Sequence, residues 1–494
     1  MKSTSKNGLI LALDIGTSST RAALFNARCE RIVESTSQKV YPLITDSSGR
    51  AEIEPQALLD AVVACISETL LYRREEPSIQ DVPILGIGLS CFWHSLIGVS
   101  PNGTPLTRII TWADSRCRSD ASALRKKLDE RLAHRLTGCM LRASFWPAKM
   151  RWLKRTQPET FRAVSLWLTP AEWLQAELTQ RASCAIGMAT STGIYNPSKL
   201  AWEPTLLKAC DLDPITLPPV HDLPAPVEGP LAEMFPEIAG IPWFPGIGDG
   251  AASNLGSGAT QPGLAAINVG TSAALRVMRK GRQAKAPFGL FAYRVDQDRY
   301  LVGGAVSNAG SLRAWALSTL NLPEESALEA ALSKRHTPDH GLTVLPNLTT
   351  ERAPTWNEEV SGTITGLTAA TTPLDILQAL TESTYHRIGA IAALLSKSSR
   401  EPAPKYLVSG GIQKSAAAMQ HLANCVGAPM YVNPEPEASI RGAAVFVAEK
   451  LGLKIAPAKP SKAIKPKAGS AAAYVTARNR QFALESLLTD FAHH

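Results

Sequence analysis

Residues 9–25 read LILALDIGTSSTRAALF, and about half a chain later residues 265–278 read AAINVGTSAALRVM. Each segment is an apolar run, a Gly-Thr-Ser turn and a second apolar run, the pattern of two short strands joined by a hairpin. The two cores are Asp14-Ile15-Gly16-Thr17-Ser18-Ser19 and Asn268-Val269-Gly270-Thr271-Ser272-Ala273. One such turn closes a hairpin and nothing more in the majority of cases. Two in matching contexts describe a duplicated pair of lobes. A hydroxyl-rich turn from each suits a polyphosphate held between them. The copies differ just before the turn, where the first has Asp14 and the second Asn268. A charge at the end of a buried strand is costly unless paired or metal-linked. Asp14 is therefore the candidate partner, through water, of a magnesium ion.

The surroundings repeat the plan. Strands are expected at Leu9–Leu13, Arg21–Phe25, Arg31–Gln38 and Pro83–Leu89. Pro55 opens a helix whose Leu58, Val62, Ile66 and Leu70 recur every four residues. Helical stretches follow from about Ser119 to Leu136 and over Pro147–Lys154, and Thr169-Pro170 reads as a cap and first turn. The second half offers hairpins at 264–278 and 290–306 and helices near 308–320, 373–397, 413–426 and 437–451. Strands alternating with helices in two halves indicate α/β lobes. The expected division is 1–255 and 256–494, with proline-rich 211–245 leading to the junction, a basic linker at 454–470 and a terminal helix.

At 494 residues the chain exceeds what one core supports. With 45% hydrophobic and 19% charged residues it reads as globular. No run approaches the roughly 20 apolar residues of a membrane span. The start is polar through Gly8 and Asp14 interrupts the first apolar run, unlike a secretory leader. Eight cysteines form no C-x-x-C pair. That points away from zinc and disulfides and toward a reduced, cytoplasmic setting. Part of the net charge of +8 sits in Lys454, Lys459, Lys462, Lys465 and Lys467, with no interleaved aromatics. This reads as linker rather than nucleic-acid surface. An anionic small substrate is the milder account of the basic balance.

Asp249 stands between two glycines after a short apolar segment. A carboxylate there reaches a substrate without backbone obstruction and suits a general base for phosphoryl transfer to a hydroxyl. A helix N-cap is the equal alternative. Further glycine clusters, Gly303-Gly304 with Gly310 and Ser409-Gly410-Gly411, precede helices and allow close approach to a base or ribose. No G-x-x-x-x-G-K-[ST] occurs, which excludes a P-loop. Gly246-Ile247-Gly248-Asp249-Gly250-Ala251 satisfies G-x-G-x-x-A, but no acidic ribose partner follows near 270.

These pieces resemble the FGGY carbohydrate kinases, a family of actin-like, ribonuclease-H-like ATPases that includes glycerol kinase, xylulokinase and gluconokinase. The likeness runs from about Leu9 to Gly452 through LALDIGTSSTRAALF, HSLIGVSPNGTPLTRIITWADSR, PGIGDGAASNLGSGA, NVGTSAALR, LPNLTTERAPTW, SGTITGLT, LVSGGIQKSAAAMQHLANCVGAPMY and EASIRGAA. The resemblance implies an α/β protein of two actin-like lobes with a central cleft. It implies ATP and Mg²⁺, Asp249 as catalytic base and Asp14 as the magnesium-linked aspartate. Gly16, Thr17, Ser18 and Arg21 fall in the first phosphate turn, and Gly270 and Thr271 in the second. Gly304 and Gly310 approach the nucleotide, and Gly410, Gly411 and Ser415 line its adenosine pocket, with Ser415 where many relatives have Asn. His94, Trp112, Asp114 and Trp146 resemble residues on the substrate side, beside Asp249. The family's G-E-R triplet is here Thr350-Glu351-Arg352.

Trp93-His94-Ser95-Leu96, Thr111-Trp112-Ala113-Asp114-Ser115-Arg116 and Phe145-Trp146-Pro147-Ala148-Lys149 are similar to the gluconokinase branch. The implied activity is transfer of the γ-phosphoryl group of ATP to a sugar or sugar acid, with gluconate ahead of a pentulose. A small molecule is the expected partner, with no nucleic acid and no membrane; a homodimer is among the assemblies the family forms. Taken singly, Trp93, Trp112 and Trp146 read as core aromatics, His94 as a satisfied buried histidine and Arg21 as a surface strand residue. A non-catalytic ATP or sugar sensor is the competing class, since fold alone does not grant catalysis.

Overall fold

The computed structural model describes residues 8–398, 404–456, 461 and 463–492. The first repeated segment forms β1 (Leu9–Ile15) and β2 (Ser19–Asn26), and β3 (Ser37–Val40) follows. The strand expected over Arg31–Gln38 starts only at Ser37, because Val33–Ser35 turns as a 3₁₀ helix. Helix α1 (Pro55–Glu75) has Pro55 in its first turn and buries Leu58, Val62, Ile66 and Leu70. Each buried apolar side chain contributes roughly 1.5–3 kcal/mol. Strand β4 (Ile84–Cys91) comes next.

The helix expected over 119–136 is two helices, α2 (Arg118–Lys127) and α3 (Glu130–Thr137). Asp129 makes the break by accepting a cap bond from the Arg131 amide, and Gly138 ends α3 in a left-handed conformation. Then come α4 (Trp146–Thr156) and α5 (Pro170–Thr179), the latter opened by a Thr169/Glu172 capping box. Strands β5 (Ala225–Pro226) and β6 (Pro242–Trp243) fold the proline-rich segment onto the outer side of the first sheet, where a missing N–H is tolerated. Strand β7 (Ile247–Gly248) leads straight into α6 (Asp249–Ser257).

The second half repeats the design with β8 (Leu264–Val269), β9 (Ala273–Lys280), β10 (Phe291–Arg294), β11 (Arg299–Val306), α7 (Gly310–Thr319), α8 (Pro373–Lys397), β12 (Lys405–Ser409), α9 (Ala416–Val426), β13 (Met430–Val432), α10 (Ala438–Lys450), β14 (Ala463–Ile464) and α11 (Ser470–Ala492). The first sheet runs β5-β6-β4-β1-β2-β3, with β7 also on β4; the second runs β10-β11-β9-β8-β12-β13-β14. In both, the repeated hairpin is antiparallel and its first strand pairs in parallel with a crossover strand. The registers correspond: Asp14 lies opposite Ser90, and Asn268 opposite Ser409.

Two boundaries differ from expectation. Helix α10 belongs to the second half of the sequence, yet packs on β1 and β4 of the first sheet and crosses α6. A cut at 255/256 separates the sheets, but it falls inside α6 and parts α10 from the sheet on which it packs. The stretch expected as linker contributes β14, which pairs with β13. It is further tied by Gln420 Nε2 to the Lys465 carbonyl and by the Lys467 amide to Asn424. Lys459 and Lys462 lie outside the described residues. All eight cysteines are free and buried. Among the described residues no helix is long and apolar enough to cross a membrane.

Candidate active site

A cavity of about 210 Å³ opens between the sheets, reached by the first turn (Gly16, Thr17), the end of β4, the start of α6 and strand β9. Asp249 is the first residue of α6; its cap is Gly248, so the N-cap alternative does not apply. Its Oδ1 accepts the Gly250 amide at 2.7 Å. Burial raises its carboxyl above the ordinary range, opposed by Arg276, the Gly250 amide and Arg352. A Cβ on Gly248 or Gly250 would collide with the Trp93 indole. The two glycines thus let Trp93 lie against the backbone that carries Asp249.

His94 adopts φ +66, unusual without glycine. Its Nδ1 faces the Ser191 carbonyl at 2.7 Å, and burial pushes its pKa down to about 3. The ring is neutral, Nδ1 carries the proton and Nε2 is left as an acceptor. Lys149, fully buried, donates to the carbonyls of His94 and Ser144 at 2.8 Å each and so supports that backbone turn. Trp112 Nε1 donates to Thr17 Oγ1 at 3.1 Å, and the Arg352 guanidinium lies 4.9 Å from the Trp112 ring centre.

Two expected substrate residues sit elsewhere. Asp114 is buried with its carboxylate on the Ala51 amide and Arg116. Trp146 is buried at the start of α4, its Nε1 donating to the Ser95 carbonyl. Neither lines the cleft; both support the loops that do.

A second cavity, of about 510 Å³, lies in the second lobe and is lined by Gly270, Thr271, Gly310, Gly411, Ser415 and Tyr385 among others. The Gly270–Ser272 turn divides the two spaces: Thr271 faces this cavity and Ser272 the cleft. The α7 amides of Gly310 and Ser311 hold that turn through the carbonyls of Gly270 and Thr271. Ser415 caps α9, accepting the Ala418 amide and donating to Glu329 at 2.6 Å, so its hydroxyl is already engaged. Gly410 packs on the Val269 backbone behind the cavity. Gly304 faces Ala353 and Ile391 and lines neither space. Ser18 is exposed, and Arg21 reaches Asp14 at 3.9 Å and Glu437 at 3.5 Å rather than either cavity.

Asp14 lies behind the first turn, and burial pushes its carboxyl up to about 6. Among the described residues no three His, Cys, Asp or Glu cluster to hold a metal. One carboxylate, 14% exposed and with only Arg21 at 3.9 Å beside it as a cation, fits an ion held mainly by water and phosphate oxygens, as magnesium is, and does not fit a protein cage. Raising a carboxyl from 3.8 to about 6 is worth about 3 kcal/mol. The sign is a cost: the stability present below pH 3.8 is lost as pH rises through about 6. Asp14→Asn without nucleotide is therefore expected to raise the thermal midpoint at pH 7 and to leave it nearly unchanged at pH 4. Thermal scans at both values check this; equal shifts would refute it.

Sequence reading left Arg276 without a role, although a charge inside the strand AALRVM was the available signal. Arg276 Nε and Trp93 Nε1 are buried in the cleft without hydrogen-bond partners. Phe291 and Tyr293, stacked at 4.4 Å on β10, were also missed, because only sheet pairing brings them to the cleft.

Two actin-like lobes meet at a polar cleft, and the family whose two domains they match is one of phosphotransferases that act on an alcohol group. The chain belongs to the FGGY family of carbohydrate kinases, matching the N-terminal domain over residues 9–256 and the C-terminal domain over 265–449. It is similar to a gluconokinase of Bacillus subtilis (strain 168), 27% identical over 88% of this chain and 86% of that one. Among solved structures it resembles a ligand-bound xylulose kinase and a gluconate kinase, both from Lactobacillus acidophilus. Each has TM-score 0.88 and 98% coverage of both chains, at 27% and 26% identity respectively. Its substrate is accordingly a small-molecule sugar, and ATP is the family's phosphoryl donor.

Proposed function

We propose that the chain is an ATP-dependent kinase for a sugar acid, gluconate first. The observation that carries this reading is the charge of the cleft. Arg276 and Arg352 both face it, and among the described residues that line it Asp249 is the one carboxylate. Arg276 Nε and Trp93 Nε1 line the cleft as buried donors without a protein acceptor, open to a ligand oxygen or an ordered water. A substrate with a carboxylate supplies both the acceptors and the charge.

In this reading Asp249 takes the proton of the attacking hydroxyl, and neutral His94 accepts a second substrate hydroxyl at Nε2. ATP occupies the second cavity with its phosphates passing the Gly270–Ser272 turn into the cleft. Asp14 is the residue that would hold Mg²⁺, which would supply charge neutralisation for those phosphates. The site of action is cytoplasmic.

A coupled ADP-release assay on gluconate, xylulose, ribulose, glycerol and erythritol tests the substrate. Gluconate is expected to give the highest kcat/KM. A ketopentose ahead of gluconate would move the chain to the xylulose-kinase reading that its structural neighbour supports equally. Silence on all five with ATP still bound would favour a sensor.

A further inference from the structure

The loop that carries Arg352 and Trp356 into the cleft is held from behind by helix α11, which lies beyond the residues matched by either family domain. Arg387, fully buried on α8, stands between two carboxylates. Its Nη2 is 2.9 Å from Glu485 Oε2 on α11, and its Nε is 3.9 Å from Glu351 Oε2. That Nε has no hydrogen-bond partner. Glu485 also accepts Thr355 Oγ1 at 2.7 Å, and Thr489 accepts Asn357 Nδ2 at 2.7 Å, so α11 grips the loop twice.

Glu351 uses its oxygens to shape the loop. Oε1 accepts the amides of Ser307 at 2.6 Å and Arg352 at 2.8 Å, and Oε2 accepts Asn308 Nδ2 at 3.2 Å. Arg352 Nε then bonds Ser307 Oγ at 3.1 Å, and its guanidinium faces the Trp112 ring. Contacts therefore run unbroken from α11 to the sugar cleft. None of Glu485, Arg387 and Glu351 lines the second cavity.

We propose that Glu485 is a positioning residue for sugar phosphorylation, acting through Arg387 and Glu351 on Arg352. Two acids share one buried guanidinium, whose other acceptors are Thr355 Oγ1 at 3.1 Å and Asn347 Oδ1 at 3.4 Å. With Glu485 charged, Arg387 stays on α11 and Glu351 is left to the Ser307 and Arg352 amides. With Glu485 neutral, the nearest remaining carboxylate for Arg387 is Glu351, beside a vacant Nε. Closing that gap takes a movement of about 1 Å, which draws Glu351 off the amides that set Arg352; misplacement on this scale costs up to about 10²-fold in rate.

This rests on the assignment of Arg352 to the sugar site, and the experiment separates the two. The full chain is assayed with ATP and the best sugar of the panel as Glu485→Gln, Glu485→Asp, Arg352→Gln and the Glu485→Gln/Arg352→Gln double variant. Glu485→Gln is expected to lower kcat/KM for the sugar about tenfold with KM for ATP within about twofold, and Glu485→Asp to recover most of the loss. In the Arg352→Gln background, Glu485→Gln should cost nothing further. Parallel losses in both substrates, independent multiplying losses in the double variant, or no loss in Glu485→Gln would overturn the positioning role. An Arg352→Gln variant with normal sugar kinetics would instead overturn the site assignment beneath it.

Discussion

Asp249→Asn is expected to bind ATP as the parent does and to lose about 10²–10⁴-fold in kcat, the usual cost of removing a general base. The substitution keeps shape and volume, and the Asn oxygen can still accept the Gly250 amide that Oδ1 now accepts. The helix start is therefore preserved and the loss is chemical. The second cavity, proposed above for ATP, is unaffected because Asp249 does not line it. Burial raises the Asp249 carboxyl, so the ionised base is gained as pH climbs past a pKa above the ordinary carboxylate range. The parent's kcat/KM should fall on the acid side of that point, and the variant should lack this limb. Nucleotide binding by calorimetry and a pH profile of kcat/KM check both parts. A variant with near-parent kcat on its best sugar would remove Asp249 from the mechanism.

Gly442→Ala, remote from both cavities, is expected to be nearly as damaging. Helices α6 and α10 cross backbone to backbone. A Cβ on Gly442 would fall inside the van der Waals radius of the Ala252 carbonyl oxygen, and one on Gly256 would meet the Ala438 carbonyl. The obstacles are main-chain atoms, which cannot rotate away as a side-chain tip can. Overpacking of this kind costs 1–3 kcal/mol or more. Relief requires the helices to part, and α6 begins at Asp249. A shift of about 1 Å there costs about 10²-fold in rate. A lowered thermal midpoint together with depressed kcat is the expected result. Parent-like stability and turnover would show that the crossing opens without cost.

Reading the sequence went furthest where one residue acts locally. The paired Gly-Thr-Ser turns, the cap at Thr169, Pro55 at a helix start and the glycines around Asp249 each follow from backbone rules that need only near neighbours. It grouped Asp114 and Trp146 with the cleft, which neither lines, because a polar or aromatic residue in a characteristic motif looks the same whether it faces a cavity or supports the loop that does. It passed over the charge of Arg276 inside the apolar run AALRVM, and it missed Tyr293 because nothing in the short strand FAYR marks the side chain that sheet pairing brings to the cleft.

The sequence by itself determined the two-lobe plan, the duplicated turns and Asp249 as the candidate base, since periodicity and turn chemistry are encoded over a few consecutive residues. Tertiary structure alone decided the rest. It wrapped α10 back onto the first sheet, placed Thr271 and Ser272 on opposite sides of one wall, and set Arg276 and Arg352 across from a single carboxylate. Burial and charge balance depend on which distant segments close over a group, and that is settled only when the lobes have packed.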